Sequence, residues 1–200
     1  MDTVITFPPN EKINQTNYYW FNGGFDEETI QSVETFAQKF DFVEAVTVSD
    51  HENVADDHIR KSQIKWLPFI QGESGWIYNK IFQLMDEANS AIWGFDIHAC
   101  LDSIQYTVYE EGGGHYDWHM DVGPHPINHR KISCVIQLSD ANDYEGGDLQ
   151  IWVGGKEPYT VPKGKGNVVF FPSFCMHRVT PVTGGVRKSL VLWMGGDSYK

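Results

Sequence analysis

No apolar run in this 200-residue chain approaches the roughly 18 to 20 residues of a membrane span. The expectation is a protein with no place in a membrane. The first residues, MDTVITFPPNEK, show neither the basic patch nor the apolar stretch of a signal peptide. Cysteine is scarce: Cys100, Cys134 and Cys175 are odd in number, far apart and without Cys-x-x-Cys spacing. That argues against a zinc-finger or disulfide scaffold and reads as reduced thiols in a cytoplasmic protein. Basic residues are few too, 15 Lys and Arg against 27 Asp and Glu, for a formal net charge of -12. Nucleic acid is therefore not an expected partner, because phosphate binding needs a basic stripe.

What is present suggests one domain over residues 1–200, mainly β with flanking helices. Residues 1–24 are polar and turn-rich. Asp26 suits the N-cap of a helix to about Phe40, with Ile30, Val33, Phe36, Ala37 and Phe40 on one face. Residues 41–70 look mixed, with short strands near 45–48 and 63–67. A second helix is predicted from Gly75 to Trp93, where Ile77, Ile81, Leu84, Met85, Ala88 and Ile92 recur at helical spacing and Gly94 follows as a stop. Beyond Gly94, β-rich runs at 103–110, 115–121, 131–138, 148–153, 159–161, 167–172, 177–180 and 187–194 alternate with Gly, Pro, Asn and Asp clusters. This is the pattern of a jelly roll, residues 95–200, with residues 1–94 as a helical support region packed outside.

Most of the chemistry lies in GGGHYDWHMDVGP. Strict strand alternation would put His115, Asp117, His119 and Asp121 on one face, each His-x-Asp pair about 7 Å apart along the backbone. Two such pairs exist, and spacing does not choose between them. The apolar run NVVFFPSFCMH delivers His177 farther along the chain. Two histidines and one carboxylate hold one face of an octahedral ion and leave other positions open, the set that suits non-haem Fe(II). In the last strand, GGVRKSLVLWM, Arg187, Ser189, Val191 and Trp193 share a face. An arginine facing a barrel interior requires an anion, and a dicarboxylate would supply one through a bidentate pair.

These motifs, in order over roughly residues 85–194, resemble the prolyl 4-hydroxylase-like branch of the 2-oxoglutarate/Fe(II)-dependent dioxygenases. YEEGGGHYDWHMD resembles the family's Tyr…Gly…Tyr-x-x-His-x-Asp arrangement, and Tyr116, three before the ligand, selects His119 and Asp121. The resemblance implies Fe(II) held by His119, Asp121 and His177, which are then the catalytic metal ligands. It implies 2-oxoglutarate anchored by Arg187 and Tyr109, with Gln137 at a position the family often fills with tyrosine. EGGDLQIW resembles the family's Gly-Gly-x-Leu strand, and Trp193 stands six after Arg187, as is common there.

The implied fold is a double-stranded β-helix. The implied reaction consumes O2 and 2-oxoglutarate, with ascorbate as an accompanying reductant, and releases succinate and CO2. The implied substrate is a prolyl residue of a protein or peptide. Tyr116, Trp118 and Trp193 are candidates to line its mouth, with packing aromatics as the alternative for the tryptophans, while His125 and His129, in a Pro/Asn-rich loop, read as solvated-loop residues with substrate contact as the alternative. Loops 41–75 and 122–130 would set specificity. A cupin-like metal-binding jelly roll without oxygenase activity, and an oxygenase of a free amino acid or nucleobase, are the alternatives.

Overall fold

The computed structural model describes residues 17–45, 47–49, 52–54 and 56–197. Its elements run β1 (Tyr19–Phe21), α1 (Glu27–Ala37), β2 (Val43–Glu44), β3 (Thr47–Ser49), β4 (Glu52–Val54), β5 (Arg60–Lys61), β6 (Gln63–Leu67) and α2 (Gly75–Ala91). Then follow β7 (Ile104–Glu110), β8 (Gly114–His119), a 3-10 turn (Ile127–His129), β9 (Arg130–Gln137), β10 (Tyr144–Gly146), β11 (Leu149–Trp152), β12 (Tyr159–Thr160), β13 (Val168–Pro172) and β14 (Met176–Gly195).

Helix α1 starts where the sequence places it, with the Asp26 carboxylate accepting from Thr29 N at 2.8 Å. It ends at Ala37, because Lys39 N and Phe40 N turn back onto Phe36 O and Ala37 O in tighter turns. Helix α2 ends at Ala91, and Gly94, at φ +63°, accommodates the left-handed turn that follows. Both helices bury one apolar stripe, Ile30, Val33, Phe36 and Ala37 on α1 and Ile77, Tyr78, Ile81, Met85 and Ala88 on α2.

The jelly roll is built from two halves joined by one strand. The larger half has the order β1-β13-β9-β14-β7-β6-β2. In the smaller half β14 is flanked by β11 and β8, with β12 and β5 outside them. Residues 176–185 of β14 pair in the small half and residues 186–195 in the large one. The corner is Gly185, at φ +72°, where a Cβ would come within 2.0 Å of Asp143 O. The sequence suggested two runs, 177–180 and 187–194; hydrogen bonding continues through the bend and makes them one strand.

Residues 1–94 are more than a helical support. β1 extends one edge of the large half through β13, β6 and β2 extend the other, and β5 adds to the small half through β8. Tyr19–Phe21 falls in a stretch that reads as polar and turn-rich, and its strand is held by pairing with Val168–Phe170. Its three aromatic residues favour a strand, a local signal that the polar, turn-rich character of residues 1–24 as a whole hides.

The large half has two buried faces. Ile104, Tyr106, Val108, Ile132, Cys134, Ile136, Phe170, Leu190, Leu192 and Met194 pack with the helices. Val135, Val169, Phe171, Tyr109, Leu149, Ile151 and Val179 close the barrel interior. Period-two alternation along β7, β9, β13 and β14 produces both faces at once.

Candidate active site

His119 ends β8 and lies directly opposite His177 near the start of β14. Asp121 follows just beyond the strand, held by its own N–H donating to Ser173 O at 2.9 Å. The ligating atoms of His119, Asp121 and His177 all lie within 4.8 Å of one another. His119 Nε2 is 3.6 Å from Asp121 Oδ1, and His177 Nε2 is 3.4 Å from Asp121 Oδ2. His119 Nδ1 meets Asp117 O at 2.7 Å and His177 Nδ1 meets Cys175 O at 3.0 Å. A carbonyl can only accept, so each Nδ1 carries the proton and each Nε2 keeps its lone pair for a metal. Ser133 Oγ donates to Asp121 Oδ2 at 2.6 Å and contacts Ser173 Oγ at 3.0 Å, which orients the carboxylate.

The electrostatics favour ligation. Burial and the neighbouring His177 push the His119 imidazolium down to about 3, against a smaller opposing pull from Asp121, so the ring is neutral near pH 7. Burial alone would raise the Asp121 carboxyl, but the two imidazoles and the Ser133 hydroxyl outweigh it and keep the group ionised.

Strict alternation does not hold along β8. Tyr116 pairs with Val179 and His119 with His177, so Asp117 and Trp118 together oppose Arg178. This bulge turns Tyr116 and His119 to the same side, where their rings stack at 3.5 Å. The rival pair is thereby separated from the site. His115 has its two ring nitrogens against Gly113 O and His58 O, and Asp117 is exposed and caps Trp118 N. Trp118 packs under the Arg178 guanidinium at 4.7 Å and does not line the cavity.

A cavity of about 520 Å³ joins the three ligands to Arg187, Tyr109, Gln105, Ser189, Tyr116 and Trp193. Arg187 is 1% exposed, and no carboxylate among the described residues pairs with it. Its Nη2 donates to Gln137 Oε1 at 3.0 Å, its Nη1 reaches Ser189 Oγ at 3.4 Å, and its Nε has no partner. The guanidinium also lies 5.3 Å from the Tyr109 ring centre. A buried cation supported by neutral groups requires an anionic ligand. Gly147, in the Gly-Gly-x-Leu motif, has φ +61°, and a Cβ there would sit 3.0 Å from Arg187 Cδ. The donor set therefore fits an open-faced iron site, and the opposite wall fits a dicarboxylate.

The mouth combines both predicted loops. Val43, Glu44, Ile59, Arg60, Ile64 and Trp66 come from 41–75, Ile127 and Arg130 from 122–130. His125 is exposed and His129 is tied to Asp102 at 3.3 Å and to Pro126 O; neither lines the cavity. Arg60 was not singled out by the sequence. It is buried, with its guanidinium 4.5 Å over Tyr116, whose phenol burial pushes up to about 12. Ser133 was also missed; its only signal was a small hydroxyl on the inward face of β9, beside Val135 and Gln137.

The family model of the 2OG-Fe(II) oxygenase superfamily matches residues 104–195, the span from β7 to the end of β14. A PKHD-type hydroxylase of Synechococcus sp. (strain CC9605) is 41% identical over 88 residues, 44% of this chain and 38% of that protein. Another, from Synechococcus sp. (strain CC9311), is 32% identical over 123 residues, 60% of this chain and 54% of its own length. The chain thus spans about half the length of the curated relatives it matches. Among solved structures, a prolyl hydroxylase from Trichoplax adhaerens, in complex with a hypoxia inducible factor peptide fragment, shares the fold with TM-score 0.74 at 16% identity. That likeness covers 92% of this chain and 86% of that one. A Pseudomonas putida prolyl-4-hydroxylase does so with TM-score 0.71 at 19% identity, over 93% and 96%. Residues 104–195 thus match the 2OG-Fe(II) oxygenase superfamily and carry the inward-facing His119, Asp121 and His177, and the chain shares the fold of solved prolyl hydroxylases.

Proposed function

We propose that this chain is an Fe(II)- and 2-oxoglutarate-dependent dioxygenase that hydroxylates a prolyl residue of a protein or peptide. The observation that carries the reading is one cavity with an open-faced two-histidine, one-carboxylate set on one side and a buried arginine lacking a counter-charge on the other. His119, Asp121 and His177 would hold the metal, and Arg187 would hold the far carboxylate of 2-oxoglutarate. When bound, the metal and 2-oxoglutarate supply the oxidation: one atom of O2 enters the substrate C–H bond as hydroxyl, and the other enters succinate as CO2 leaves.

The chain's own residues bind and orient. Asp117 O and Cys175 O lock the imidazole tautomers, and Ser133 fixes the carboxylate, so the ligands are set before the metal arrives. Gln137 and Ser189 aim the Arg187 fork, which matches a carboxylate bidentately. Tyr109, 3% exposed, places its phenol on the same wall, where it can donate to that carboxylate. Tyr116 and Trp193 line the space between metal and solvent, where a substrate ring would exclude water. Hydroxylation is supported by the PKHD-type hydroxylases similar in sequence, and prolyl chemistry by the prolyl hydroxylases similar in fold.

The test is iron-dependent succinate formation by the full chain supplied with Fe(II), 2-oxoglutarate, ascorbate and oxygen, with and without a pool of proline-containing peptides. Succinate that His119→Ala, Asp121→Ala and His177→Ala each reduce to background is expected, with peptide products heavier by one oxygen atom. Near-normal turnover in any of the three variants would sink the ligand assignment. Neither succinate formation nor 2-oxoglutarate binding by the iron-loaded protein would favour a metal-binding jelly roll without oxygenase activity.

A further inference from the structure

A second groove, of about 470 Å³, lies beside the candidate metal centre. It shares Val43, Glu44 and Arg60 with the first cavity, so the two form one path across the surface. Four exposed carboxylates line it: Glu44, Asp57, Glu110 and Glu111. Among the described residues none of the four is in an ion pair. The cations on its wall are Lys61, whose ammonium donates to Gly112 O at 3.0 Å, and Arg60. Carboxylates outnumber cations, and a concave surface concentrates their field.

Arg60 gives a second, independent sign of a ligand. It is 7% exposed, its Nε donates to Ser62 Oγ at 2.9 Å, and its Nη2 is buried without a partner. An unsatisfied buried donor is costly, and an acceptor on a ligand at the junction of the two cavities would recover that loss. A free anion would have to pass four carboxylates to reach it. A neutral carbonyl of an extended main chain would not, and its side chains could carry the positive charge that the groove attracts.

We propose that the acidic groove docks a lysine- or arginine-bearing stretch of the polypeptide substrate, beside the residue to be hydroxylated, with a main-chain carbonyl of that stretch accepting from Arg60 Nη2. This rests on the reading of the neighbouring cavity as a peptide hydroxylase site. Glu44, Asp57, Glu110 and Glu111 are then specificity-determining residues, and the path of the chain runs from the metal centre toward the β7–β8 turn.

Two fluorescein-labelled Ala/Gly peptides with one central proline test this, one with lysines on a single side and one with glutamates in their place. Anisotropy titrations into the full chain should show the lysine peptide binding about five- to tenfold more tightly at low salt, with the gap narrowing as salt screens it. The double variant Glu110→Lys, Glu111→Lys should reverse the preference, and Arg60→Met should weaken both peptides alike. Equal binding of the two peptides, or a preference unmoved by the double variant, overturns the groove assignment. Peptide affinity untouched by Arg60→Met overturns the carbonyl contact. Turnover separates this from the reaction itself: lysine-selective binding without oxygen transfer to proline would leave the groove and remove the prolyl hydroxylase reading. Hydroxylation of both peptides with equal KM would do the opposite.

Discussion

Strand β9 shows two kinds of interior on one piece of chain. Ile132, Cys134 and Ile136 point to the helices, while Ser133, Val135 and Gln137 point into the barrel, and all six are buried. On the helix side the first three pack in a cluster of apolar and aromatic side chains, and burial itself stabilises. On the barrel side Ser133 supports Asp121, Gln137 supports Arg187, and Arg187 Nε is left without a partner. The first layer is a finished core. The second lines the cavity, and its unsatisfied Arg187 Nε marks where a ligand would belong.

Substitutions can break this contrast if it is misplaced. The largest effect on folding belongs to the helix side, where Phe170→Ala should cost about 3–5 kcal/mol in denaturant unfolding, because the residue is fully buried. A loss below about 1 kcal/mol would mean that layer is loosely packed. Arg187→Met should raise the 2-oxoglutarate concentration needed for half-maximal binding by about thirtyfold or more, with no loss of stability in cosubstrate-free protein. A stability loss comparable to that of Phe170→Ala would make Arg187 structural. Ser133→Ala should weaken Fe(II) or Mn(II) binding by about 10- to 100-fold, read by titration, with 2-oxoglutarate binding to the metal-loaded form less affected. Metal affinity unchanged would remove Ser133 from the site. Smallest is Asp26→Ala, which loses the α1 cap and should cost about 1 kcal/mol in unfolding while leaving metal affinity alone.

Much of this was legible in the chain itself. The α1 start at Asp26 follows from one capping carboxylate and a local apolar stripe, and both are short-range. The faces of β7 and of the second half of β14 follow from period-two alternation, so Arg187, Ser189, Val191 and Trp193 could be grouped before any fold was known. His119 and Asp121 were a different matter. Alternation grouped them with His115 and Asp117, and the resemblance of Tyr116 to a family position separated them. The physical reason for that separation is the bulge at Asp117–Trp118, which has no glycine or proline to announce it. Nothing in the mixed stretch 41–70 marks Arg60; only pairing of Arg60–Lys61 with His115–Tyr116 brings its guanidinium over the Tyr116 ring.

Composition, alternation and capping therefore determined the class of fold, the main elements and the residue types able to hold iron and a dicarboxylate. They act between near neighbours or through the period of a single strand. The tertiary structure decided the rest: which histidine turns inward, that β14 belongs to both halves through Gly185, and that residues from the first 94 line the mouth. These depend on a bulge, a corner and strand pairings between residues distant in sequence, which local rules do not encode.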